Sequence, residues 1–325
     1  MSRLAGHVRT LWGPLWFLPL IPTVYALILL PFGELRPEHI VFGVLCPLLG
    51  FYGARTKRFF VDVSPYVAVA VAYDLVRYVR PIFVTADRVL GCELRTAELT
   101  FFRAGTNTTF QDFFARHHAP FWDLLFAVPY TIFVYLVIVY AGYLYFKDRA
   151  RMRVYLWAFA VGNFLSFVCW LVFPAAPPWY LRAHGCTIDP NALPNAAALA
   201  RVDALLGIDY YRTFYSRASS IFGALPSMHC AYPVIGMLSA WRAATWRTRP
   251  LHIAYAAVMA FAAVYLDHHW VLDVLAGWLV AIVAVFVARR LVARLGAGAD
   301  EPVAALVPDE AARPSAIPAP IGDRA

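Results

Sequence analysis

Phe222-Gly223-Ala224-Leu225-Pro226-Ser227-Met228-His229 sets a histidine at the head of an apolar run. Tyr265-Leu266-Asp267-His268-His269-Trp270-Val271-Leu272-Asp273 sets a second histidine, with a carboxylate, at the head of another. Between these two polar islands run segments long enough to cross a bilayer or nearly so, joined by the basic turn 242–250. A chain that goes inward after His229 and returns before His268 brings both islands to one membrane face. Ionisable residues inside a membrane are costly and mark a functional site by default. His229, His269 and Asp273 are therefore read as one constellation, and the remaining chain as its support.

The composition agrees with a membrane setting. The chain of 325 residues is 61% hydrophobic and only 15% charged, with a mean hydropathy of +0.61. Soluble domains are nearer half apolar and a quarter charged. The net charge of +8 sits in short Arg-rich clusters beside apolar runs, where it sets topology and meets anionic headgroups rather than nucleic acid. The five cysteines show no metal-ligand spacing. Cys46 and Cys169 fall in apolar runs and read as core residues, whereas Cys92 and Cys186 can pair if both lie on an oxidising face.

The expected architecture is an all-α polytopic transmembrane bundle of six to eight spans with an amphipathic surface segment. Apolar runs at 11–32, 40–54, 59–83, 121–146, 154–173, 227–241, 252–266 and 271–288 give eight crossings. The first exceeds a signal-peptide core and reads as a retained span. The third is broken by Asp62, Pro65, Asp74, Arg77 and Arg80, so either it crosses with its charges turned inward or it is re-entrant; the crossing closes the topology. Segment 94–114 mixes Phe and Leu with Glu98, Arg103, Gln111 and Asp112 and reads as lying on the membrane surface. Three units follow: 1–118 with the N-terminal spans and surface segment, 119–295 as the catalytic unit, and 296–325 as a disordered tail rich in Pro, Ala and charge. Every basic cluster after a span falls on one side, so the positive-inside rule sets both termini in the cytoplasm and the constellation on the opposite face. A bacterial inner (plasma) membrane is the expected location.

His269 and Asp273 are four apart and share a helix face. A carboxylate one turn from an imidazole accepts its N–H, fixes the tautomer and sharpens the other nitrogen as a nucleophile. His229, after a Pro-Ser turn, is placed to act as general acid to a leaving oxygen. Ser227 and the free N–H groups of that helix start form an anion site. Together these parts fit in-line displacement at phosphorus. Two plainer readings compete: histidines that only stabilise the bundle, and a metal held by His229, His268 and His269, a pattern weaker than HExxH. His268 lacks the spacing to Asp273 and reads as interfacial.

Pro226-Ser227-Met228-His229 and His269-Trp270-Val271-Leu272-Asp273 resemble the second and third signature motifs of the type-2 phosphatidic acid phosphatase superfamily. The longer stretch 222–229, the doublet His268-His269 and Phe173-Pro174-Ala175-Ala176-Pro177-Pro178-Trp179-Tyr180 resemble its inositol phosphorylceramide synthase branch, over roughly residues 123–292. The resemblance implies a phosphohistidine on His269, oriented by Asp273, with His229 as acid, and neither metal nor cofactor. The phosphatases carry a first motif of a lysine, six residues and Arg-Pro; here Arg80-Pro81 matches its end, but Tyr73 stands in the lysine position. Ala262 and Ala263 stand where the phosphatases have Ser-Arg. Both losses remove cations that would hold a phosphomonoester dianion, whereas a phosphodiester carries one charge and needs fewer.

The expected activity is thus transfer of a phosphoryl headgroup, such as phosphoinositol, from a phospholipid to a lipid alcohol such as ceramide or diacylglycerol. A lipid phosphatase using water is the alternative, and a non-enzymatic transporter or structural protein the third reading. The substrate-binding set is Ser227, Arg80, Arg217 and Tyr180, with Arg77 and Arg182 as further arginines for the phosphate. The partners are membrane lipids, not nucleic acid.

Overall fold

The computed structural model describes residues 3–297. The expected tail lies outside them, apart from 296 and 297, which continue the last helix. In chain order the helices are α1 (Arg3–Trp12), α2 (Ile21–Leu29), α3 (Pro37–Tyr52), α4 (Ala54–Phe83) and α5 (Cys92–Phe101). A hairpin of β1 (Arg103–Gly105) and β2 (Thr108–Thr109) leads to α6 (Phe110–Arg116). Then come α7 (Pro120–Lys147), α8 (Arg149–Val172), α9 (Pro178–His184), α10 (Leu199–Leu206), α11 (Tyr210–Tyr215), α12 (Met228–Ala240), α13 (Arg249–Tyr265) and α14 (Val271–Ala297).

Local chemistry sets the breaks. Pro120 and Pro178 start α7 and α9, where a missing N–H costs nothing. A single non-helical residue, Asp148, separates α7 from α8, and its carboxylate caps α8 by accepting from Arg151 N at 2.9 Å. The expected span 11–32 is not one helix. Pro14, Pro19, Pro22 and Pro31 each begin a new short turn, because proline removes a donor from the ladder, and the two halves meet at 89°. The 59–83 stretch, by contrast, lies in one continuous 30-residue helix, α4.

Among the described residues four helices (α4, α7, α8 and α14) are long and apolar enough to cross a membrane, or five if the bent N-terminal pair counts as one span. By that measure the expected six to eight is not reached. The shortfall is α3, α12 and α13, with 16, 13 and 17 residues. At about 1.5 Å per residue these are shorter than a hydrocarbon core of about 30 Å.

The centre of the bundle is the contact of α8 with α14, α4 and α12. Both helices carry small buried residues, Ala158, Ala160 and Gly162 on α8 and Ala281, Ala284 and Ala288 on α14, which allow a close approach. A Cβ on Gly162 would lie 3.2 Å from Ile235 of α12 and 3.5 Å from Ala284. The two carboxylates of α4 turn inward. Asp62 is buried and accepts from Arg149 at 2.5 Å and Arg153 at 2.7 Å. Asp74, also buried, meets Tyr25, His39, Arg36 and Arg77.

The amphipathic segment α5–β1–β2–α6 has one polar face turned into the protein. Phe101 and Phe113 are exposed, and Glu98 and Gln111 are fully buried against the start of α14. A disulfide from Cys92 to Cys186 ties α5 to the turn after α9. The proline-rich stretch before α9 is a linchpin: Ala176 N donates to Leu90 O and Ala175 N to Phe222 O, each at 2.8 Å, which locks the 222–229 motif to the surface segment.

Candidate active site

His229 is the second residue of α12, and His269 lies two residues before the start of α14. The two helix heads are stitched by Ser227 N donating to Asp273 O at 2.9 Å. The crossing is close enough to demand glycine: a Cβ on Gly277 would lie 2.3 Å from Ser227 O. The stitch brings His229 Nδ1 to 3.0 Å from His269 Nε2. On the other side of the His269 ring, Nδ1 lies 3.0 Å from Ala224 O and 3.4 Å from Asp273 Oδ2. Both are acceptors, so Nδ1 holds the proton and Nε2 presents a lone pair. His229 Nδ1 then donates to that lone pair. Asp273, fully buried, also accepts from Trp270 N at 2.9 Å and so caps the first turn of its own helix.

Aromatic rings fix the histidines. Tyr130 stacks on His229 at 4.4 Å, and Phe133 lies 4.5 Å away. The site opens into a cavity of about 720 Å³. Its walls include aromatic and aliphatic side chains of α4, α7, α8 and α9, with Tyr73, Trp170 and Trp179 among them. Away from the histidines the N-terminal helices contribute the Asp74 cluster, with Tyr25, Arg36 and His39 on the same cavity.

The substrate-binding expectations fare unevenly. Arg217 lines the cavity, and its guanidinium makes no hydrogen bond or ion pair among the described residues. Ser227 does not line it: its hydroxyl is fully buried and accepts from Cys230 N at 3.4 Å, a capping role. Tyr180 is also fully buried, donating to Thr187 O at 3.2 Å and accepting from Asp189 N at 2.7 Å, so it braces the outer loop. Arg80 lies outside the cavity wall. Arg182 is engaged by Asp267, with bonds of 2.7 and 3.1 Å, and by Asp112, and Arg77 by Asp74. His268, expected at the interface, is instead buried and lines the cavity. Among the described residues no group of three His, Cys, Asp or Glu side chains is arranged to hold a metal ion.

Two residues that the sequence did not single out as functional support the site from behind. Glu98 accepts from Val271 N at 2.7 Å and Leu272 N at 3.3 Å, the free donors at the head of α14. Gln111 Nε2 donates to His269 O at 2.9 Å and to Glu98 at 3.3 Å. Burial pushes the Glu98 carboxyl up, against the N–H donors that favour its anion. Burial likewise pushes Asp267 up to about 6 despite Arg182.

Comparison with known proteins places this geometry in context. The profile described as PAP2 superfamily matches residues 104–287. Phosphoinositol dihydroceramide synthase of Bacteroides thetaiotaomicron is 30% identical over 248 residues, covering 75% of this chain and 81% of that protein. Inositol phosphorylceramide synthase of Candida albicans is 32% identical over 166 residues, 49% of this chain and 34% of its own. The catalytic subunit of the same enzyme from Saccharomyces cerevisiae is 34% identical over 171 residues, 51% and 42%. The chain thus spans less than half the length of these fungal relatives. No solved structure matches significantly.

Proposed function

The chain belongs to the PAP2 superfamily, as an integral-membrane phosphotransferase or phosphatase, and from that premise we propose that it moves a phosphoinositol-type headgroup from a phospholipid to a lipid alcohol. Ceramide is the favoured acceptor, by similarity to the synthases named above, and diacylglycerol the second. The observation that carries the reading is the pairing of His229 Nδ1 and His269 Nε2 at 3.0 Å, with Asp273 behind, at the wall of a cavity large enough for lipid.

The donor phosphate enters between the two rings and replaces their mutual hydrogen bond. His269 Nε2 attacks phosphorus; the bond from phosphorus to the glycerol oxygen breaks, and that oxygen takes a proton from His229. Diacylglycerol leaves, with the headgroup phosphate held on His269. The acceptor hydroxyl then loses its proton to His229 and attacks phosphorus, and the P–N bond breaks. Asp273 and the Ala224 carbonyl hold the Nδ1 proton throughout and favour the cationic ring that forms. Arg217, unpaired on the cavity wall, suits the single charge of a diester. The Cys92–Cys186 disulfide at the site end of the bundle supports an active site on the non-cytoplasmic face of the plasma membrane, with basic clusters and termini on the cytoplasmic side.

The test is purified wild type and His269→Ala with headgroup-labelled phosphatidylinositol, with and without ceramide or diacylglycerol, followed by lipid chromatography. A new labelled lipid that needs both the acceptor and His269 is expected. Phosphate release from a lipid monoester, with no transfer product, would make the protein a hydrolase.

A further inference from the structure

A third imidazole lines the cavity, and the mechanism above leaves it idle. His268 is 6% exposed and lies between two stacked rings, Tyr130 at 5.3 Å and Tyr215 at 4.6 Å. The backbone carbonyl of Ala196 is near enough to favour a proton on this ring. Nε2 is buried with no partner among the described residues, so the proton that Ala196 favours sits on Nδ1 and leaves Nε2 with a lone pair. Burial and the neighbouring His269 push the ring down to about 3, which keeps it neutral and accepting across the working pH range. A buried acceptor without a donor on a cavity wall calls for a ligand that supplies one.

The position of His268 narrows the choice. Its ring centroid is 6.4 Å from that of His229, the base for the reacting hydroxyl under the proposed transfer. A neutral lone pair repels a phosphate oxygen and welcomes an O–H or N–H. We infer that His268 is a specificity site for the acceptor, its Nε2 receiving a second hydrogen-bond donor, an amide N–H or a neighbouring hydroxyl, beside the hydroxyl that reacts. Such a site favours acceptors with two adjacent donors, as in ceramide, over diacylglycerol, which has one hydroxyl and no second donor. This inference rests on the transferase reading.

The experiment compares wild type, His268→Phe and His268→Gln, with labelled phosphatidylinositol as donor. The acceptors are ceramide, N-methylceramide, 3-deoxyceramide and diacylglycerol. Phenylalanine keeps the aromatic stack and removes the acceptor; glutamine restores an acceptor oxygen. Wild type is expected to prefer ceramide by at least about ten-fold in kcat/KM over the analogue lacking the matching donor, because a site built to bond a substrate group rejects its absence. His268→Phe is expected to erase that preference by lowering only the ceramide rate, and His268→Gln to recover part of it. An equal loss with every acceptor, a rise confined to the KM of phosphatidylinositol, or an unchanged preference would each overturn the inference while the transferase reading stands. No labelled lipid from wild type with any acceptor would overturn both.

Discussion

Replacing Glu98 by alanine removes a carboxylate that touches no expected substrate position yet holds α14 by its first turn. Glu98 takes N–H bonds from Val271 and Leu272 at 2.7 and 3.3 Å, and a third bond from Gln111 at 3.3 Å. Glu98 and Gln111 are fully buried, so water does not readily replace these bonds. A buried donor without a partner costs about 1–3 kcal/mol, and loss of an ordinary N-cap costs about 0.5–2 kcal/mol. Because the donors share one acceptor and relax together, a total of about 2–4 kcal/mol is expected in place of their separate sum. A carboxylate at a helix N-terminus also complements the macrodipole, a smaller effect of about 0.3–1 kcal/mol. Gln111, freed from Glu98, no longer fixes the His269 carbonyl. A shift of about 1 Å in a reacting group costs about 10²-fold in rate. Glu98→Ala is therefore expected to lower kcat by about 10²-fold, with the KM for both lipids little changed, and to lower the thermal midpoint in detergent. Glu98→Gln keeps an acceptor for Val271 and is expected to recover most of both. Headgroup-transfer kinetics and a melting curve on the same preparations check this. Wild-type kcat in Glu98→Ala, or an effect on KM alone, would refute a positioning role.

Gly277→Ala places a methyl 2.3 Å from Ser227 O, so the heads of α12 and α14 must part and His229 must leave His269. Loss of transfer by at least about 10²-fold, in protein that still elutes as a single species on gel filtration, is expected. Cys92→Ser, or reduction, frees the turn after α9 from α5 across a separation of 94 residues; the thermal midpoint should drop by the equivalent of about 2–4 kcal/mol, and an unchanged midpoint would deny the clamp. His268 is held near 3 in the fold against 6.5 as the ordinary value, through burial first. The unfolded chain therefore binds a proton that the native chain refuses, and stability falls as pH drops from about 6.5 towards 3. His268→Phe is expected to flatten that part of the acid-side decline in melting temperature; identical pH profiles would count against a neutral buried ring.

Much of this protein is readable as a linear string because the deciding interactions are local or compositional. Apolar runs of span length follow from the cost of exposing backbone to lipid, and α4, α7, α8 and α14 appear where the runs lie. His269 and Asp273 share a face because a helix repeats every 3.6 residues. The closeness of His229 to that pair required only that two polar helix heads face one side. The prolines that break the first run were visible too, but the 89° bend depends on how α2 packs against α3.

What the fold alone could reveal is where each polar side chain finds its partner. Tyr180 and Ser227 carry hydroxyls of the kind that bind phosphate, yet both are spent on nearby backbone. Arg182, a plausible clamp in isolation, is neutralised by Asp267 and Asp112 from distant segments. Glu98 meets Val271 across 173 positions, and a charged residue in an amphipathic stretch looks identical whether it faces water or caps a helix. His268 differs from its neighbour His269 by one position in the chain, and only the closing of Tyr130, Tyr215 and Ala196 around it makes it a buried, unpaired acceptor. Helical periodicity specifies neighbours one turn away; partners far along the chain follow from how loops and helices close in three dimensions, where burial turns an ordinary side chain into a site.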